Sequence, residues 1–148
     1  MTERLLPRRF AGLLAITLAV GSAATPALAG PAADAAQRRI AAISAGDVGA
    51  LTAGYADSAT LEWVGGPLDG SYRGPAAIGS VWTRFAQAQG PLQARVGEIA
   101  ESANPRGQTV AVNVVFSGRA TVKVRYVLVL REGRVVNEVW QIDPALAG

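Results

Sequence analysis

The sequence predicts an α+β domain in which a curved antiparallel sheet forms a cone covered by three helices. Two observations carry this. Helical spacing of apolar residues is confined to the part of the chain before Pro91, and everything after it alternates in strand fashion between short turn signals. Helices first and a meandering sheet afterwards is the α+β pattern. At 148 residues the chain is long enough for one domain.

The first segment, 1–29, reads as a cleavable export signal rather than part of the fold. Arg4, Arg8 and Arg9 give a basic start, Phe10 to Val20 is apolar, and Pro26 with Ala27-Leu28-Ala29 supplies a helix breaker and a small-x-small cleavage site. The apolar run is shorter than the roughly 20 residues a bilayer span needs. The expectation is a periplasmic or secreted protein of residues 30–148, with no membrane contact after cleavage. Cleavage would remove three arginines and only one acid, so much of the formal charge of +3 belongs to this segment.

Ala32 to Ile43 then reads as a helix, with Ala35, Ile40 and Ile43 among its apolar positions, and Gly46 ends it. Asp47 is placed to cap a short second helix reaching Tyr55. Ala59 to Val64 reads as a strand, broken by Gly65-Gly66-Pro67, and the stretch up to Gly74 reads as a loop with a turn at Asp69-Gly70. Pro75 opens a third helix to Gln89, where Ile78, Val81, Trp82 and Phe85 follow a buried stripe. Four strands follow: Leu92–Ser102, Thr109–Ser117, Ala120–Leu130 and Val135–Asp143. Their short connections make neighbours antiparallel. In Val122-Lys123-Val124-Arg125-Tyr126 alternation turns one face inward and leaves Lys123 and Arg125 on the other.

Composition narrows the chemistry. The chain has no cysteine and no histidine, which excludes thiol nucleophiles, disulfides, His-based triads and the usual zinc sites. No metal and no cofactor is expected. No basic tract interleaved with aromatics survives outside the first segment, so nucleic acid is not an expected partner. A cone of this kind would enclose an apolar pocket. Tyr55, Trp63, Trp82, Phe85 and Trp140 are the candidate lining for a small apolar molecule.

The order of elements resembles the nuclear transport factor 2-like superfamily, a cystatin-like roll that includes SnoaL-type polyketide cyclases and ketosteroid isomerases. The residues that carry the resemblance are Gly46-Asp47, the block Tyr55-Ala56-Asp57-Ser58-Ala59-Thr60-Leu61-Glu62, the Gly74 turn into the helix with Ile78, and Gly133-Arg134-Val135. The resemblance implies a homodimer. It does not imply steroid isomerisation, because Trp63 occupies the position of that family's aspartate base. The positions of its oxyanion-hole tyrosine and aspartate fall near Arg39 and Tyr126.

The cyclase comparison retains more: Gly133-Arg134-Val135 leads a strand that carries Glu138 and then Asp143. Glu138, Asp143 and Tyr126 are the candidate catalytic residues. Burial in a low-dielectric cone disfavours the charged form of a carboxylate, which is how such groups become usable acids or bases. Period-2 alternation places Val136, Glu138, Trp140 and Ile142 on one face and Val139, Gln141 and Asp143 on the other, so Glu138 and Asp143 face the cone together only across a bulge; the resemblance implies that Glu138 is the inward one. Glu138 could instead be paired with a base such as Arg125, Asp143 could be an exposed strand terminator, and Tyr126 could be a core residue. Three functions remain open: an exported binder of a small hydrophobic ligand, a cofactor-independent acid/base enzyme using Glu138 or Asp143, and a dimerising structural module whose cavity is filled.

Overall fold

The computed structural model describes residues 30–147; the expected export signal lies outside them. Helix α1 (Pro31–Ala45) starts with proline at its first turn, which lacks only an N–H that would have had no helical partner. It stops at Gly46, where φ is 69° and the N–H returns to the carbonyls of Ala42 and Ile43. The Asp47 side chain accepts from the Ala50 N–H at 2.9 Å and so starts α2 (Val48–Ala53). Strand β1 (Tyr55–Val64) and strand β2 (Gly70–Arg73) form an antiparallel pair. Helix α3 (Pro75–Gln89) then buries Ile78, Val81, Trp82 and Phe85. Strands β3 (Gln93–Asn104), β4 (Gly107–Ser117), β5 (Thr121–Arg131) and β6 (Arg134–Ile142) complete the chain.

The six strands lie in one sheet, in the order β2-β1-β6-β5-β4-β3. Three details differ from the sequence reading. Tyr55 opens β1 instead of closing α2, because Gly54 ends that helix. Residues 70–73, read as loop, form β2; an Asp-Gly pair signals a turn equally well when it leads into a short edge strand. The sheet is mixed: β1 and β6 are far apart in sequence and pair in parallel, which hairpin logic cannot foresee.

Register positions the interior. Trp63 pairs with Trp140 and Leu61 with Glu138 across β1 and β6, and Tyr126 pairs with Trp140 across β5 and β6. All of these side chains are buried on the concave face. The helices cover that face, α1 over β3 and β4 and α3 over β1 and β2. On the other face, the paired row Ala100, Ala111, Val127 and Val139 crosses four strands with no helix of the described residues over it.

Candidate functional site

The inward face of β6 carries Glu138 into an apolar interior, where it has no solvent exposure at all. Its partner comes from α1. Ala36, Ile40 and Ile43 lie at helical spacing on the buried side of α1, and Arg39 occupies the same stripe. The Arg39 Nη2 lies 3.2 Å from both Glu138 carboxylate oxygens. Its Nε donates to the Tyr126 hydroxyl at 3.0 Å and its Nη1 to the Leu51 carbonyl at 3.1 Å. The guanidinium carbon also stands 4.4 Å from the centre of the Tyr55 ring, within cation–π range.

Both tyrosines close on the same carboxylate. The Tyr126 hydroxyl donates to Oε1 and the Tyr55 hydroxyl to Oε2. The Trp82 indole N–H donates in turn to the Tyr55 hydroxyl at 2.8 Å. Glu138 therefore accepts two contacts from Arg39 and one from each tyrosine, which matches the roughly four lone-pair positions of a carboxylate. No acceptor position is left for a substrate proton.

The environment pushes the hydroxyls the same way. Burial raises the Tyr55 phenol well above the ordinary tyrosine range, reinforced by the Glu138 charge and only partly opposed by Arg39. Burial likewise raises Tyr126, with Arg39 pulling the other way and Glu138 adding to the rise. For Arg39 burial works against the charge, but the facing Tyr126, Glu138 and Tyr55 outweigh it and hold the guanidinium above its usual value. Two neutral phenols thus flank one buried ion pair.

The expected apolar hollow is filled by the residues assigned to line it. Trp140 is the centre, with ring distances of 5.1 Å to Trp63, 5.0 Å to Trp82, 5.4 Å to Phe85, 5.2 Å to Phe116 and 5.7 Å to Tyr126. Tyr55, Trp82, Tyr126, Glu138 and Trp140 are each at most 1% exposed. A void large enough for water would leave accessible surface on its walls, so this part of the cone is packed solid. Small side chains would have left a pocket here; three tryptophans on facing elements do not. The indole N–H groups of Trp63 and Trp140 are buried without an acceptor.

Of the candidate catalytic residues, Glu138 and Tyr126 are brought together and Asp143 is not. Asp143 lies just past β6, on the outward side, where its carboxylate accepts from the Ala145 N–H at 3.0 Å. Arg125, the alternative partner considered for Glu138, sits exposed on the outer face; the ion pair is made by Arg39. The role of Arg39 was missed, although an arginine at a stripe position between Ala36, Ile40 and Ile43 is a detectable signal of a buried charge awaiting a partner. Among the described residues no group of three or more Asp, Glu, His or Cys is placed to hold a metal ion.

This fold belongs to a known class. The family model described as a SnoaL-like domain matches residues 36–138, more than half of the chain, so the chain belongs to the SnoaL-like family. Solved structures of the same fold include an NTF2-like protein of unknown function from Pseudomonas aeruginosa, with 17% identity over 77% of this chain and 99% of that one and a TM-score of 0.63. An NTF2-like protein of unknown function from Pseudomonas putida is also 17% identical, over 76% and 87%, with a TM-score of 0.62. An LEH-like epoxide hydrolase from M. tuberculosis is 17% identical over 76% and 83%, with a TM-score of 0.57. At these identities the likeness establishes the fold alone. No curated protein matches this chain.

Two predictions follow from the buried network. Glu138→Gln leaves Arg39 charged and unpaired, and unfolding in urea should show a loss of about 3–5 kcal/mol. Adding Arg39→Met to that variant should cost less than the two single changes together, by at least about 1 kcal/mol; strict additivity would show that the two side chains do not act as a pair. The second concerns alkali. Phenols raised in the folded state favour the fold fully below the ordinary tyrosine value of about 10, and that contribution is lost as pH climbs beyond it. Thermal stability should therefore fall above about pH 10, and less steeply in Tyr55→Phe.

Proposed function

We propose that this chain is a non-catalytic SnoaL-like module, exported after cleavage of residues 1–29, that self-associates through the outer face of its sheet. The observation that carries this reading is the saturated, solvent-free Glu138: every group that could serve as acid or base in the cone is already bonded to another side chain. Acid/base catalysis needs the carboxylate within reach of a substrate proton. Chemistry at Glu138 would require breaking the Arg39 pair and displacing packed indoles, and Asp143 stands outside the cone.

The outer face supports the association. Ala111, Val127 and Val139 are half-buried members of one cross-strand row, flanked by Asn113, Arg125 and Gln141 on one side and Thr109, Val129 and Asn137 on the other. An apolar row with a largely polar border is the anatomy of a protein interface, and a self-complementary row suits a two-fold dimer. Export rests on the basic start, the apolar run Phe10 to Val20 and Ala27-Leu28-Ala29 of the first segment.

A second reading retains ligand binding. Trp63 and Trp140 hold indole donors without acceptors, and a small apolar guest carrying an acceptor atom would satisfy them if the cone opened. Two measurements decide. Sedimentation of the mature chain should show a dimer at micromolar concentration, and Val127→Glu should return it to monomer; a monomeric wild type contradicts the proposal. Titration with apolar ligands should leave tryptophan fluorescence without saturable quenching, whereas saturable quenching abolished by Trp140→Phe would establish the second reading.

A further inference from the structure

Outside the packed interior, a cleft of about 240 Å³ lies between α1, the end of α2 and the β5–β6 hairpin. Its walls are largely apolar, formed by Ala35, Ala42, Ala50, Leu130 and Val135, while Gly54 and Gly133 leave two stretches of bare backbone. Two arginines are among its lining residues, Arg38 on the exposed side of α1 and the buried Arg39. No carboxylate is among its lining residues.

Arg39 is the unusual wall. It is only 6% exposed, yet the ion-pair network does not exhaust it. Of the five N–H donors of a guanidinium, at most four are engaged: one to Tyr126, one to Leu51 and two to Glu138. The nitrogen with a donor to spare is Nη1, which holds Leu51 through a single hydrogen bond. It lies beside Gly54, 3.2 Å from where a side chain there would begin, so a larger residue at 54 would crowd the head of the cleft. A nine-tenths buried cation with a free donor, at the end of a short apolar trough whose rim carries a second cation, is arranged for a small anion with an apolar tail.

We propose that this cleft binds a short-chain aliphatic carboxylate, its head between Arg38 and the Nη1 of Arg39 and its chain along Ala42, Ala50 and Val135. One carboxylate oxygen would accept the spare Nη1 donor of Arg39, and the second would face the fork of donors that the Arg38 guanidinium carries. The site needs no opening of the cone, and the Arg39–Glu138 pair remains in place when it is filled, so its failure would leave the reading of the interior untouched.

Calorimetric titration of the mature chain with sodium hexanoate tests this. Saturable binding is expected, at least about tenfold tighter than for acetate because the longer chain buries more methylenes. Arg38→Gln, an exposed change, should weaken hexanoate severalfold. Ala50→Glu should abolish binding, since it places a carboxylate in the trough; it should fold normally, because residue 50 is exposed on α2. Absence of saturable heat, or equal affinity in wild type and both variants, overturns the proposal. Inorganic phosphate binding as tightly as hexanoate would overturn the assignment to aliphatic carboxylates.

Discussion

A single ion pair in an apolar interior constrains the rest of this molecule. Arg39 arrives from the first helix and Glu138 from the last strand, and each would be intolerable there alone, since an unpaired buried charge costs several kcal/mol. Their pairing fixes where α1 lies against the sheet. Tyr55 and Tyr126 complete the carboxylate's hydrogen bonds, and Trp82 brings α3 into the same set. One polar knot therefore ties together α1, α3, β1, β5 and β6. Replacing it by apolar residues could give equal stability, so its value lies in specifying one arrangement of helices over the sheet.

The aromatic packing around this knot decides what the cone can do. In a curved sheet the concave face must be filled by side chains or by a guest. Here Trp63, Trp82, Phe85, Phe116 and Trp140 meet at ring distances of 5.0–5.9 Å, mostly edge to face, which is the favourable geometry for their quadrupoles. Here the concave face is closed by the size of its own side chains. That leaves the open sheet face and the cleft beside α1 as the surfaces on which the proposed association and anion binding would take place.

Much of this was legible in the sequence, and the remainder was hidden for physical reasons. Periodicity placed α3 and the last four strands to within two residues at either end, because strong alternation and glycine-rich turns are local signals. Strand parity put Glu138 and Asp143 on opposite faces, and the family resemblance supplied which of them points inward. The parallel β1–β6 pairing was not visible, since nothing local to Tyr55–Val64 names its partner. Nor was the filled interior: the sequence supplies three tryptophans, but whether they line a hollow or occupy it depends on how closely α3 approaches β6. Arg39 could have been found by asking why an arginine shares a stripe with Ala36, Ile40 and Ile43. Its partner could not, because the two residues are separated by most of the chain.

The most direct measurement of the closed interior is hydrogen exchange at the Trp82 indole, which is 1% exposed and donates to Tyr55. If the network and the indoles form one packed unit, this proton exchanges only by global unfolding, as slowly as the best-protected amides of β5 and β6. Exchange many times faster than those amides, in a protein whose sheet stays protected, would mean that the cone opens to water on its own and would contradict the account.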